Sequence, residues 1–161
     1  MTVKEYNNCV DRLSDAIFRF LLKNTRDRDL ANDLVQDSFM KLWLKRKDVD
    51  TNKSKSYLFT TAYHTMIDHF RKNERKDSFD PQTHDVAYTD NGFTDLKEVL
   101  DNAIQKLSPI QRSVVMLRDY EGYSYKEIGD ITELTEAQVK VYIYRARLFL
   151  KNYLVSPEIV Y

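Results

Sequence analysis

The chain has 161 residues, of which 42% are hydrophobic and only three are glycine and three proline, a composition that favours an all-helical protein. The basic and acidic residues balance to no net charge, so composition alone gives no nucleic-acid signal. The single cysteine, Cys9, excludes an internal disulfide and fits a reducing cytoplasm. The sequence has no signal-peptide pattern and no apolar run as long as a membrane span. We therefore expect a cytoplasmic, all-α protein.

Three helices are predicted in residues 1–76. Thr2 and Glu5 form a capping box that opens the first helix, and apolar residues then recur at helical spacing. A second helix begins near Asp27. After a polar loop, Ser54 or Ser56 caps a third helix that ends in a basic run.

Residues 77–94 lack any sustained hydrophobic period and hold Pro81, Gly92 and several aspartates. A stretch of about 20 residues without periodicity is unusual inside one compact domain. We therefore predict two small domains, 1–76 and 95–154, joined by a flexible acidic linker at 77–94. Residues 155–161 form a tail about which the pattern says nothing.

Four helices are predicted in residues 95–154, and the last two form a helix-turn-helix. Capping boxes stand at Ser108 with Gln111, Ser124 with Glu127, and Thr135 with Gln138. The gap between Ile131 and Thr135 leaves room for the three-residue turn that a helix-turn-helix needs.

The final helix has one apolar and one cationic face. Lys140, Tyr144, Arg147 and Lys151 form a stripe on the side opposite Val139 and Ile143. A capped, cationic helix on a short partner helix can enter a DNA major groove with its N-terminus first. The competing interpretation is an amphipathic helix with a solvated basic face; the paired caps and the turn length favour DNA binding.

The order of these motifs resembles that of the extracytoplasmic-function (ECF) sigma factors, the two-domain initiation factors of bacterial RNA polymerase. Residues 33–43 are similar to the family's polymerase-docking helix, and residues 57–71 to its promoter-melting helix. Residues 107–112 resemble the start of its second domain, and residues 122–128 with 139–147 its helix-turn-helix. The resemblance implies a three-helix sigma2-like domain and a four-helix sigma4-like domain.

The second helix is the docking helix that the resemblance implies. Its spacing turns Leu34, Val35, Leu42 and Trp43 inward and leaves an acidic and amide patch on an adjacent face. By itself such a patch is more often a solvated edge. The resemblance implies instead that it meets the coiled coil of the polymerase clamp, through these residues: Asp33, Gln36, Asp37, Met40 and Trp43.

The third helix and the loop before it are where the family recognises the −10 element and opens the strands. Bases of a melted strand need rings to stack on and cations to follow the backbone. Leu58, Phe59 and Phe70 are interpreted as core. The candidate contacts are Asn52, Lys53, Lys55, Tyr57, Thr60, Tyr63, His64, Arg71 and Lys72. The family often has Arg and Asn where Tyr63 and His64 stand, so a different sequence preference is expected.

The resemblance places recognition of the −35 element on the helix-turn-helix. Candidates for this DNA contact are Ser124, Tyr125, Glu136, Ala137, Gln138, Lys140, Val141, Tyr144, Arg145, Arg147 and Lys151. The last three arginine and lysine positions lie deeper along the helix and suit phosphates. Gln138 serves either a base contact or only its cap. The family commonly has Ser-Arg where this chain has Val141-Tyr142. The base contact that this arginine usually makes in the family is therefore not expected here.

No catalytic constellation, metal site or cofactor motif is found, and no small-molecule substrate is expected. His64 and His69 do not share a helix face, and no nearby cysteine completes a zinc site. The leading hypothesis is a sigma factor whose partners are core polymerase, promoter DNA and, by resemblance, a membrane-anchored anti-sigma factor. The alternatives are a helix-turn-helix regulator that binds duplex DNA without polymerase, and a helical interaction adaptor that binds no DNA.

Overall fold

The computed structural model of the chain describes residues 1–76 and 95–155. The predicted acidic linker and the tail from residue 156 onward lie outside the described residues. The described ranges contain α-helices and no strand, which confirms the all-α prediction. The helices are α1 (Val3–Thr25), α2 (Arg28–Lys45), α3 (Ser54–Lys76), α4 (Asp95–Gln105), α5 (Pro109–Asp119), α6 (Tyr125–Thr132) and α7 (Glu136–Leu154).

The capping boxes found in the sequence begin the helices as predicted. All four are present, at Thr2, Ser108, Ser124 and Thr135, each with its hydroxyl accepting from the amide three residues on. The start of α3 differs in detail. A 3₁₀ turn, Thr51–Lys53, leads directly into the helix, and Ser54 is its buried first residue, whose hydroxyl donates to the carbonyl of Thr51 at 2.7 Å.

Helices α1, α2 and α3 pack around a shared apolar core. Fully buried members include Ile17 and Leu21 of α1, Leu42 of α2 and Met66 of α3. Cys9 belongs to the same core and is 1% exposed, as expected of a small buried hydrophobe. None of the described helices combines the length and apolar character needed to cross a bilayer.

Helices α4 to α7 pack mainly on one another, with α5 and α7 in extensive contact. Leu117 of α5, Ile128 of α6 and Ile143 of α7 are fully buried between them. Each of these residues lies on the apolar face that its helical spacing predicts. This packing fixes α7 with its opposite, cationic face outward.

The two groups of helices are in contact, and their cores form one continuous apolar cluster. Phe59 of α3 meets Tyr123, which precedes α6, with ring centroids 5.5 Å apart in an edge-to-face arrangement. The ring of Phe20 in α1 also lies 5.5 Å from the ring of Phe59, again edge-to-face. A cluster of edge-to-face aromatic rings therefore joins the front and rear helices.

A buried polar contact also joins the two groups of helices. The side-chain oxygen of Asn24, at the end of α1, accepts from Arg112 Nε at 3.3 Å and from Ser113 Oγ at 3.2 Å. Arg112 Nη1 also donates to Gln105 Oε1 at 3.0 Å. Burial lowers the pKa of Arg112 to about 10, because removal from water disfavours the charged form. Asn24 and Gln105 thus hold this buried guanidinium with neutral oxygens.

The turn between α6 and α7 depends on two backbone features. Glu133 has a φ of 61°, a left-handed conformation that ends α6. Gly129 lies so close to the turn that an added Cβ would be 2.7 Å from the carbonyl oxygen of Leu134. Glycine at 129 therefore lets the turn fold back against α6 and sets the angle of α7.

Candidate nucleic-acid and protein interfaces

The outer face of α2 exposes carboxylates toward its start, and the apolar Met40 and Leu44 beside Lys41 and Lys45 toward its end. The candidate residues Asp33, Gln36, Asp37 and Met40 are on the solvent side of the helix, and Met40 is 60% exposed. Leu34 and Leu42 are buried on the opposite side. The separation of faces that the sequence predicted for this helix is therefore present.

Trp43 and Leu44 differ from that simple pattern. Trp43 is half-buried, with its ring 4.9 Å from that of Tyr6 and the Arg46 guanidinium 3.8 Å over it. Leu44 is 73% exposed and was not among the predicted site residues. It follows Met40 by four positions and therefore lies next to it on the same face of the helix. This i, i+4 spacing is the feature of the sequence from which Leu44 could have been predicted.

The candidates for −10 recognition form a long strip. Asn52 and Lys53 are exposed on the 3₁₀ turn, and Arg71 and Lys72 are exposed near the end of α3. At 1.5 Å per residue the strip from Lys55 to Arg71 is about 24 Å long. Cations therefore stand at both ends, which suits a backbone that runs along the helix.

The middle of this strip is covered by the rear helices. Tyr63 is only 4% exposed, and burial raises the pKa of its hydroxyl. His64 is half-buried, and its Nε2 lies 3.8 Å from Oε1 of Glu133 in the helix-turn-helix. Lys55 Nζ lies 5.3 Å from the ring centroid of Tyr123. In this arrangement Tyr63 has little surface free for a base.

Two other candidates in this region are already packed or hydrogen-bonded within the protein. Tyr57 is half-buried and packs against the core. Thr60 is half-buried, and its hydroxyl donates to the carbonyl of Ser56 at 2.7 Å within α3. Of the predicted set, Asn52, Lys53, Lys55, Arg71 and Lys72 are the exposed members.

The first turns of α7 present an exposed surface. Glu136, Ala137, Gln138, Lys140, Val141 and Tyr144 are all exposed. The side-chain oxygen of Gln138 accepts from the amide of Thr135 at 2.9 Å, so the capping role left open by the sequence is occupied in the structure. Tyr144 is 67% exposed and projects from the face that carries Lys140 and Arg147.

Deeper along α7 the cations border a groove. Tyr125, Lys140, Tyr144, Arg147 and Lys151 line it together with two apolar residues of α7. Arg145 is exposed on the edge of this face, and Ser124 is half-buried as the α6 cap. The helix-turn-helix thus brings most of the predicted −35 set together on one surface.

Tyr125 is the centre of a cationic cluster beside this groove. Arg118 lies 4.5 Å and Lys140 5.6 Å from its ring centroid. The carboxylate of Asp119 accepts two hydrogen bonds from Arg147, which raises the pKa of that guanidinium. Arg118 and Asp119 were missed by the sequence interpretation, because they belong to α5 and meet this surface only through the fold.

Comparison with known families matches both halves of the chain. Residues 9–76 match the family model for Sigma-70 region 2, and residues 97–150 match the model for Sigma-70, region 4. A helix-turn-helix regulator or an interaction adaptor does not account for the first match. Sigma factors are not a class of enzymes.

Individual relatives are similar to this protein over most of its length. The ECF RNA polymerase sigma factor SigM of Bacillus subtilis is 31% identical over 140 residues, which cover 84% of this chain and 86% of SigM. RNA polymerase sigma factor YlaC of the same organism is 28% identical, covering 84% of each chain. Among solved structures, the sigma factor RpoE in complex with the anti-sigma factor NepR from Bartonella quintana is 26% identical, with a TM-score of 0.78 over 96% of this chain and 99% of RpoE. The chain belongs to the ECF family of RNA polymerase sigma factors.

Proposed function

We propose that the two halves of this sigma factor divide its work, with α1–α3 binding core polymerase and opening the −10 element while α4–α7 hold the −35 element. The observation that carries the proposal is the contrast between two exposed helix faces. The first half of α2 exposes Asp29, Asp33 and Asp37 against one cation, Arg28, and is followed by the exposed apolar Met40 and Leu44, with Lys41 and Lys45 toward the end of the helix. On α7, every exposed charged residue after Glu136 is basic. An acidic face suits a basic protein partner and a cationic one suits DNA.

The proposed docking surface comprises Asp33, Gln36, Asp37, Met40, Trp43 and Leu44. The carboxylates are exposed and positioned to steer a basic coiled coil of the polymerase clamp. Met40 and Leu44 supply apolar area that is exposed in the described part of the chain. Such area, rimmed by charge, is typical of a protein interface.

For the −10 element, the proposed contacts are the exposed loop and the two cationic ends of α3. Asn52 is placed to read a flipped base, while Lys53, Lys55, Arg71 and Lys72 follow the backbone. Tyr63 and His64, which the rear helices cover, become available only when α6 leaves α3, whereas Tyr57 and Thr60 are half-buried and packed or hydrogen-bonded within the front helices. Strand opening therefore requires the halves to separate in the complex with polymerase.

For the −35 element, we place the first turns of α7 against base edges. Glu136, Ala137, Lys140, Val141 and Tyr144 are exposed there. Gln138 keeps its amide group for a base because only its oxygen is used by the cap. Arg145, Arg147 and Lys151, with Ser124 and Tyr125 beside them, contact phosphates.

An anti-sigma factor is a proposed partner. RpoE was solved in complex with the anti-sigma factor NepR, and CnrH, which is 23% identical with a TM-score of 0.70 over 94% of this chain, in complex with the cytosolic domain of CnrY. By analogy we place this chain in the cytoplasm under the control of a membrane-anchored inhibitor, with no catalytic activity of its own.

Reconstitution with core polymerase tests the division of labour. The purified chain is expected to form a complex with core on gel filtration and to support initiation from a promoter selected from a random DNA pool. Replacing Asp33 and Asp37 by lysine is expected to weaken core binding at least about tenfold, because like charges then face each other. Asp11 and Asp15, exposed on α1 with the same spacing, provide the matched control for the double reversal. Equal binding by both double variants would contradict docking through α2.

A further inference from the structure

Asp119 and Arg147 form a two-point contact between the end of α5 and the middle of α7. Asp119 Oδ2 accepts from Arg147 Nε at 3.3 Å, and Oδ1 accepts from Nη2 at 2.5 Å. The two residues are 28 positions apart in the chain, so the contact exists only because α5 packs on α7. Two parallel N–H···O bonds fix both the position and the plane of a guanidinium.

The fixed guanidinium borders the groove on the cationic face. Arg147 lines this groove with Tyr125, Lys140 and Lys151, and the Tyr125 side chain makes a small further contribution to the raised pKa of the Arg147 guanidinium. About half of the Arg147 side chain remains exposed. A guanidinium has five N–H donors, and the carboxylate uses two of them. The remaining N–H donors of Arg147 can donate hydrogen bonds to an anion that approaches from the solvent.

We infer that Asp119 is a positioning residue for DNA recognition, holding Arg147 in one orientation for a phosphate of the −35 duplex. This inference rests on the proposed function of α4–α7. An arginine held in place loses less side-chain freedom when it binds. The carboxylate also cancels much of the attraction that a free arginine exerts on DNA in any register. Asp119 thereby favours the correct register over all others, which is a gain in specificity rather than in affinity.

A merely structural role for Asp119 makes a different prediction. If the pair only joined α5 to α7, its loss would lower stability and leave the DNA preference of the folded protein unchanged. An exposed ion pair contributes little to stability, so the folded variant can be compared directly with the parent chain.

Asp119→Asn in holoenzyme is the central test, with Asp15→Asn as the matched control. Asp15 pairs with Arg19 at 3.1 Å on the exposed side of α1, so its replacement makes the same change in charge away from α7. Holoenzymes of each variant select from a random duplex pool. We expect Asp119→Asn to bind arbitrary duplex several-fold more tightly at low salt and to enrich a −35 motif with weaker base preferences. Asp15→Asn is expected to match the parent in both respects.

The outcomes separate this inference from the proposed function. If the parent holoenzyme enriches no upstream motif, the proposed role of α4–α7 is wrong. If the parent enriches a motif and Asp119→Asn enriches the same motif with equal strength, only the positioning role is overturned.

The Arg147→Lys background supplies the second test. Lysine is a point charge that cannot take the two-point contact, so adding Asp119→Asn to it is expected to change the motif no further. An undiminished effect of Asp119→Asn in that background would show that its charge acts without Arg147 and would overturn the inference. Asp119→Glu, which keeps a carboxylate at this position, is expected to restore most of the parental preference.

Discussion

His64 of α3 and Glu133 of the helix-turn-helix meet across the two halves of the molecule, with Nε2 and Oε1 3.8 Å apart. Glu133 is also the residue in the left-handed conformation that ends α6. Glycine is the usual residue at such a position, because a Cβ is strained there. A charged residue at this point therefore links the shape of the turn to the contact between the halves.

Replacement of Glu133 by glycine and by alanine separates these two roles. Both variants lose the contact with His64, which is weak because the Glu133 side chain is largely exposed. Only glycine relieves the left-handed strain, so we expect Glu133→Gly to be more stable than Glu133→Ala by about 1 kcal/mol. Urea unfolding measures the difference, and an alanine variant at least as stable as the glycine variant would contradict strain at this turn.

Gly129→Ala is expected to destabilise the protein although Gly129 lies inside a helix. Alanine normally favours a helix over glycine, but here its Cβ would approach the Leu134 carbonyl to 2.7 Å. Since backbone rather than a flexible side chain must move, we expect a loss of about 1–3 kcal/mol and weaker binding to the −35 duplex. Urea unfolding and a duplex-binding titration measure the two effects.

Gly122→Ala is the comparison for Gly129→Ala. Gly122 has a φ of 74°, and a Cβ there meets nothing within 4 Å. Its replacement costs only the left-handed strain, about 1 kcal/mol, and leaves the angle of α7 unchanged. Equal loss of DNA binding in the two variants would contradict a steric role for Gly129.

Tyr123→Phe is expected to preserve or increase stability. The ring packs on Phe59, whereas the buried hydroxyl has no hydrogen-bond partner among the described residues. Removing an unpaired buried hydroxyl changes the free energy of unfolding by about 1 kcal/mol in the favourable direction. Tyr123→Ala, which removes the ring as well, should cost about 3 kcal/mol. Thermal or urea unfolding of both variants separates the contribution of the ring to stability from that of the hydroxyl.

The same residue predicts how stability changes at alkaline pH. Burial, with a smaller contribution from the carboxylates of Glu121 and Glu127, raises the pKa of Tyr123 above its ordinary value. Above the unfolded pKa of about 10 the unfolded chain gives up this proton while the folded chain keeps it, so stability falls as the pH rises. The lowered pKa of Arg112 also makes stability depend on pH in the alkaline range. Because Arg112 is present in both the parent and Tyr123→Phe, its contribution cancels when the stabilities of the two proteins are subtracted.

Unfolding of the parent and of Tyr123→Phe should therefore be compared between about pH 8 and 11, a range that spans the ordinary tyrosine pKa. The variant is expected to gain on the parent as the pH rises past about 10. Curves that stay parallel across this range would contradict a raised pKa at Tyr123.

Local patterns were the part of the fold that the sequence predicted well. The capping boxes at Thr2, Ser108, Ser124 and Thr135 each depend on residues three apart, so the helix starts and the helix-turn-helix follow from short stretches of sequence. The exposed face of α2 followed from helical spacing in the same way.

Contacts between distant segments could not be predicted. Asn24 and Arg112 are 88 positions apart, and nothing in either local pattern indicates that they meet. The same holds for Tyr63, whose spacing and chemistry suit base stacking, but which the rear helices cover. Exposure of a candidate residue depends on which surfaces the whole chain brings together.

The neutral oxygens around Arg112 affect how the molecule changes shape. A cation held by the amide oxygens of Asn24 and Gln105 regains strong hydration once water reaches it. That recovered hydration offsets part of the unfavourable exposure of apolar surface when the two groups of helices move apart. Opening the contact between the two groups of helices is thus less costly than its buried apolar area suggests, which suits the separation of the halves that we propose for the complex with polymerase.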